Sequence, residues 1–192
     1  MLFSRFLGRR RVINLVINDH SIRFVELKHS NSPVPLHYGE KYLQQGIISD
    51  GKIHDYDTLA NILDECIQDW RIPGRKVRFT VPDSLVVIRK AAVPTDVKDD
   101  ELYGYLYLEF GSSIHLPFEE PVFDTVSLPN PNGNKEVLLF AAPEKYVQEY
   151  ANLLKSAKLK PVSADIFHTG TLQALSSALH KEASRQAINS KF

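Results

Sequence analysis

The 192 residues contain one cysteine, one methionine and one tryptophan. With Cys66 alone, no intramolecular disulfide can form, which fits a reducing compartment. No apolar run reaches the about twenty residues that a membrane-spanning helix needs. Neither sign of charge predominates, since 23 Lys and Arg balance 23 Asp and Glu. Bulk electrostatics therefore offers no attraction to nucleic acid or membrane, and any such affinity belongs to a local patch. The nine glycines are scattered singly, which excludes a Walker or Rossmann phosphate loop. No two of the seven histidines flank a catalytic Glu at helical metal-ligand spacing. No strand-Ser-helix elbow of the hydrolase kind occurs. The paired carboxylates Asp99-Asp100 and Glu119-Glu120 fall at helix starts or in loops, where solvation or capping explains them. Tyr103, Tyr105, Tyr107 and Phe110 could stack on bases, but Asp99, Asp100, Glu101 and Glu109 around them repel a phosphate backbone. Nothing catalytic survives, and a nucleic-acid partner is not expected.

What is present is an ordinary globular composition, 43% apolar and 24% charged, enough for one or two compact domains. The one odd segment is residues 1–11. Leu2, Phe3, Phe6 and Leu7 lie beside Arg5 and Arg9 to Arg11, with apolar residues before charge, the reverse of a secretory signal. This segment reads either as a frayed basic terminus or as a weak contact with an anionic membrane surface, at about 1 kcal/mol per Lys or Arg.

Val12 to Ile17 is an apolar run and Ile22 to Leu27 alternates, with Asn18-Asp19-His20-Ser21 as turn chemistry between them; the pair reads as a hairpin. Val34 to Leu43 is a third strand, and Asp50-Gly51 closes a loop before a helix. That helix carries Leu59, Ile62, Leu63, Cys66, Ile67 and Trp70 on one face, with Asp55 or Asp57 as its cap. Cys66 inside this stripe is a small core residue rather than a nucleophile. Pro73-Gly74 ends the helix and Val77 to Val81 returns as a strand. A second unit starts near Ser84: a strand over Leu85 to Val93, then a helix with an acidic start at Asp96 to Glu101 that runs through Leu102, Leu106 and Phe110. Val122 to Leu128 and Glu136 to Ala142 form a hairpin around Asn130-Pro-Asn-Gly133. Pro143 opens a helix with Tyr146, Val147, Tyr150, Leu153 and Leu154 at core spacing, followed by a strand, Val162 to Ile166, and a last helix from Thr169 to Leu179.

The segment Val12-Ile-Asn-Leu-Val-Ile-Asn-Asp-His-Ser-Ile-Arg-Phe-Val-Glu-Leu27 resembles the opening of PilM and of its relative FtsA, bacterial members of the actin-like ATPase superfamily. Gly46-Ile-Ile-Ser-Asp-Gly-Lys-Ile53, Arg78-Phe-Thr-Val-Pro82, Asp100-Glu-Leu102, Pro117-Phe-Glu-Glu120, Leu138-Leu-Phe-Ala-Ala142 and Leu159-Lys-Pro-Val162 continue the likeness in order, from about Val12 to Leu179. The resemblance implies an α/β fold: half of an actin-like, ribonuclease-H-like ATPase fold with an inserted small α/β subdomain of the PilM and FtsA type. On that reading residues 12–84 and 162–180 form the ribonuclease-H-like subdomain and 85–161 the insertion, while 1–11 and 181–192 lie outside both. The second actin-like half of a complete family member would follow the end of this sequence.

In the family, an Asp on the first strand organises metal and water near the nucleotide phosphates, and a Gly lets backbone amides approach them. Val16 stands in place of that Asp and Asn18 in place of that Gly. Val16 has no oxygen to offer a hard cation. Asn18 tolerates positive φ and would keep the turn shape, whereas Asp19 puts a negative charge at the turn tip. His20, Ser21 and Arg23 are donors but restore no carboxylate. Asn18, Asp19, His20 and Ser21 thus form a degenerate phosphate loop, for which the expectation is no ATP, no Mg2+ and no turnover; ATP and Mg2+ would bind only if this loop still functions. The resemblance further implies a cytoplasmic scaffold, peripheral at the inner face of the cell membrane. Its partner would be the cytoplasmic tail of a PilN-like bitopic membrane protein, with other proteins of the pilus inner-membrane subcomplex alongside, in a pilus or a related secretion or competence system. The tail would lie in a groove between the two subdomains, and Pro82, Asp83, Ser84, Arg89 and Glu109 are the candidate partner-binding residues. Two alternatives are an actin-like ATP-binding switch completed by a second half, and an FtsA-like division protein.

Overall fold

Strand β1 (Ile13–Ile17) buries Ile13, Leu15 and Ile17 almost completely, while Asn14 and Val16 on its other face are half-buried. That period of two is the signature of a strand with one face in a core. The computed structural model describes residues 12–28, 34–128 and 135–166 of the chain. The first unit comprises residues up to Leu85 together with Lys145–Asp165. Its five-stranded sheet is built on β1, β2 (Ser21–Lys28), β3 (Val34–Tyr42), β6 (Lys76–Val81) and β10 (Lys160–Ile166), in the order β10-β6-β1-β2-β3. β1 runs antiparallel to β2 and parallel to β6, and β2 runs antiparallel to β3. Residues opposite one another, such as Leu15 with Phe24 on β2 and Phe79 on β6, share the buried face. Fully burying one such side chain is worth roughly 1.5–3 kcal/mol.

Helix α1 (Tyr56–Asp69) lays down the expected stripe, with Leu59, Leu63, Cys66 and Ile67 buried. Its N-cap is Asp55, whose carboxylate accepts from the Thr58 amide at 3.0 Å and the Thr58 hydroxyl at 2.7 Å, holding the Asp55 carboxyl below its ordinary value. Burial pushes the Cys66 thiol up to about 11, so it is a packed core group and not a thiolate. One element was not anticipated. The loop expected at Asp50-Gly51 is a tiny hairpin, β4 (Ile48–Ser49) against β5 (Lys52–Ile53), turned by Asp50 at φ 51° and Gly51 at φ 72°. Two successive positive φ values make the primed turn that hairpins favour.

The second unit includes Val86–Glu144. In it β7 (Val87–Val93), β8 (Pro121–Leu128) and β9 (Lys135–Pro143) form an antiparallel sheet in the order β7-β9-β8. Helix α2 (Leu102–Glu109) packs Leu102 and Leu106 into a core with Val93, Val137 and Leu139. The acidic stretch Asp96–Glu101 forms turns rather than the opening of this helix, and Phe110 leaves it in extended conformation. Helix α3 (Glu144–Ser156) differs in another way from the sequence reading, which put it in the insertion over 85–161. From Lys145 onward it groups with the first unit, because Tyr150 bonds there and the chain beyond it pairs with β6 through β10. The expected helix over 169–179, the hairpin turn at Asn130 to Gly133, and the segments 1–11 and 181–192 lie outside the described residues.

Gly39 on β3 offers a direct test of this packing. A Cβ there would stand 2.6 Å from Nε1 of Trp70 and 2.7 Å from Cε1 of Phe24, whose rings pack on each other at 4.6 Å. Gly39→Ala is expected to lower the unfolding free energy by about 1–3 kcal/mol in urea titrations. Gly104→Ala, within α2 and with nothing inside 4 Å of the added Cβ, is expected to raise it by up to about 1 kcal/mol.

Candidate functional site

The β1–β2 turn, where the degenerate phosphate loop is expected, satisfies its own polar groups. Asn18 accepts through Oδ1 from the amides of His20 at 3.0 Å and Ser21 at 2.9 Å, and from the Ser21 hydroxyl at 3.3 Å. The Asn18 amide donates to the Ser21 carbonyl at 3.0 Å, closing the turn. Asn18 is not among the positive-φ residues. It preserves the turn by side-chain capping, not by the left-handed backbone expected of it. Arg23, expected as a further donor, gives its Nε to Glu40 at 2.6 Å.

Asp19 is also used differently from the expectation. Its carboxylate reaches the β4–β5 turn and accepts from the amides of Asp50 at 2.8 Å and Gly51 at 3.0 Å. The Gly51 carbonyl in turn accepts from the Tyr150 hydroxyl at 3.0 Å. Tyr150 is 1% exposed, and burial above all, then the charges of Asp19 and Glu149, raises its phenol well above the ordinary value near 10. Gly51 is required here: a Cβ on it would lie 2.6 Å from Oγ of Ser84, 2.8 Å from Cβ of Pro82 and 3.0 Å from Cγ of Leu85. Three chain segments distant in sequence thus close on one glycine. Val16 faces away from the buried side of β1, opposite Arg23 and Thr80, and supplies no oxygen. Among the described residues no cluster of three metal-ligating side chains occurs, and no helix is long and apolar enough to cross a membrane.

Of the candidate partner-binding residues, Pro82, Asp83 and Ser84 lie beside this turn, with Pro82 buried and Asp83 and Ser84 exposed at a short 3-10 helix, Asp83–Leu85. Arg89 and Glu109 belong to the second unit. Arg89 is exposed on β7 and donates to the Ile88 carbonyl at 3.0 Å. Glu109 closes α2: its carbonyl accepts from the amides of Ser112, Ser113 and Ile114, and its carboxylate takes the Ser113 hydroxyl. No interaction among the described residues joins Arg89 to Glu109. The sequence reading had Gly51 only as a loop residue and Tyr150 only as core, although the Asp-Gly pair is itself a strong hairpin signal.

A mixed α/β chain with this five-stranded sheet and a separate three-stranded one belongs to the actin-like fold class. The chain belongs to the family described as type IV pilus assembly protein PilM, whose model matches residues 15–189. The fold is similar to a chain of a solved PilM-PilN type IV pilus biogenesis complex, with a TM-score of 0.72 and 23% identity, over 91% of this chain and 53% of that one. The present chain thus spans about half the length of that relative. A cytoplasmic domain of EpsL, an inner-membrane component of the type II secretion system of Vibrio cholerae, matches over 80% of this chain and 56% of that one. Its TM-score of 0.48 at 12% identity is too low to bear on the assignment. No curated protein matches.

Two variants test the latch around Gly51. Asp19→Ala leaves two turn amides without their acceptor and is expected to cost about 1–3 kcal/mol of stability in urea unfolding. The Tyr150 phenol is protonated more tightly in the folded chain than in the unfolded one. Its contribution is therefore full below pH 10 and is lost as pH rises above it. The expected outcome is a fall in stability above about pH 10 that is shallower in Tyr150→Phe.

Proposed function

We propose that this chain is a non-catalytic scaffold of type IV pilus assembly that binds the cytoplasmic N-terminal tail of a PilN-like single-span protein at the inner face of the cell membrane. The observation that carries the non-catalytic half of this reading is the occupied state of the β1–β2 turn. Nucleotide phosphates are held by backbone amides left open toward the ligand. Here the amides of His20 and Ser21 are taken by Asn18, and those of Asp50 and Gly51 by Asp19. A phosphate entering this turn would have to displace a carboxylate already holding two donors, and would meet its negative charge. Val16 adds no ligand for the Mg2+ that would offset that charge.

The partner half rests on family membership and on the likeness to a chain solved in a PilM-PilN complex. Exposed apolar surface supports a protein partner: Tyr103, Tyr107 and Leu108 on α2 are 59%, 58% and 80% exposed, an unusual cost on a short helix unless something covers them. An extended tail is a common ligand for such apolar surfaces, with main-chain bonds for affinity and side-chain pockets for specificity.

Calorimetry separates the two halves of the proposal. Millimolar Mg-ATP is expected to give no binding heat and no phosphate release. A synthetic peptide matching the cytoplasmic tail of a PilN-like protein is expected to bind with micromolar affinity. Micromolar Mg-ATP binding would favour a nucleotide switch instead, and absence of peptide binding would remove the scaffold assignment.

A further inference from the structure

The second unit holds a cleft of about 430 Å³ between the C-terminal end of α2 and the start of β8. Its walls are Tyr107, Phe110, Ile114, Leu116 and Phe118, and its rim carries His115, Glu119 and Glu120. The volume falls in the range of about 300–1,000 Å³ typical of ligand sites, room for one or two side chains of a peptide and not for a folded element. The walls are firmly built. Phe110 packs edge-on against Phe123 at 5.0 Å, and Phe123 stacks on Tyr103 at 4.3 Å. Gly111 at φ 83° turns the chain back so that Phe110 bridges Ile114. Glu120 is held at φ 51° while its carbonyl accepts from the Glu144 amide at 3.0 Å.

The charge on this cleft is of one sign. No Lys or Arg is among its lining residues, and neither Glu119 nor Glu120 enters an ion pair among the described residues. Both are exposed. An aromatic wall beneath two carboxylates repels phosphate and acidic peptides. It suits a cation on an apolar stem, which gains from ring faces and carboxylates together.

We propose that this cleft docks a short segment of a partner protein in which an arginine or lysine adjoins leucine-like residues, the aliphatic and aromatic contacts lying on Phe110, Ile114 and Phe118 and the cation meeting Glu119 and Glu120. The proposal deepens the scaffold reading by giving the partner segment its chemistry, and it rests on that reading for the partner's class alone.

The test uses the full chain and three fluorescent acetylated hexapeptides: alternating Leu-Arg, alternating Leu-Gln and alternating Leu-Glu. Anisotropy is expected to give the Leu-Arg peptide about five- to tenfold tighter binding than Leu-Gln at low salt, the yield of two exposed ion pairs. The preference should shrink as salt rises, and the Leu-Glu peptide should bind weakest. The double variant Glu119→Gln/Glu120→Gln, which alters only exposed side chains, is expected to abolish the preference while keeping the wild-type melting temperature. Phe118→Ala should weaken Leu-Arg and Leu-Gln alike. Equal binding of the Arg and Gln peptides, or a preference that survives in the double variant, would overturn the assignment. A PilN-like tail peptide run in parallel separates the two readings. If the tail binds wild type and double variant equally, the cleft proposal falls and the scaffold stands. If the Leu-Arg preference holds but the tail does not bind, the scaffold falls and the cleft proposal stands.

Discussion

The carboxylate of Asp19 holds the amides of Asp50 and Gly51, and the first unit's loop geometry depends on that pair of bonds. With one bond exposed and the other part-buried, the two together are worth about 1–3 kcal/mol. They tie the β1–β2 turn to the β4–β5 hairpin across some thirty positions of sequence. With the turn fixed, the Gly51 carbonyl points at the Tyr150 hydroxyl on α3, and the bare Cα of Gly51 admits Pro82, Ser84 and Leu85. A glycine at positive φ serves twice here, in the turn's backbone and in the space it leaves open. The same bonds have a chemical consequence. Every donor spent on Asp19 or Asn18 is a donor withheld from an anion, and this is the physical basis of the non-catalytic reading proposed for this corner.

Side-chain identities alone could not reveal this accounting. His20, Ser21 and Arg23 are donors in any sequence reading, and Asp19 is a repulsive charge at a turn tip. The pairings are set by the fold: Glu40, far along the chain, accepts from Arg23, Asn18 close by accepts from His20 and Ser21, and Asp19 accepts from the distant amides of Asp50 and Gly51. The inference that the loop is ill-suited to phosphate came from Val16 and Asn18. The hydrogen bonds add a second argument for that proposal, since these amides already have acceptors.

Where periodicity is strong, the fold is legible from the chain alone. β1, β2, β6 and α1 alternate or repeat over five or more residues, and their buried faces are those the pattern picks out. β4 and β5 are two residues each, too short to carry any period, so only the Asp-Gly turn could have announced them. Helix α2 is apolar or aromatic on every side, with Tyr103, Tyr107 and Leu108 outward and Leu102 and Leu106 inward. Such a helix has no polar face to mark its register, and Glu101 at its N-cap makes no capping bond that would mark its start. The grouping of α3 with the first unit is set by Tyr150 and β10, contacts that no local pattern encodes.

A strand lets a fold survive while its chemistry changes. On β1 the residues that hold the sheet together, Ile13, Leu15 and Ile17, point to one face, and Asn14 and Val16 point to the other. Because the side-chain period is two, the side chain at position 16 can change without touching the packing of Leu15 beside Phe24 and Phe79. Strand order and register are therefore under one set of constraints and phosphate or metal ligation under another, on alternate residues of the same five-residue segment. A lineage can keep the first and lose the second at little cost in stability. The family likeness then reports the architecture, while the proposal of a turn that holds no phosphate rests on the residues at 16, 18 and 19.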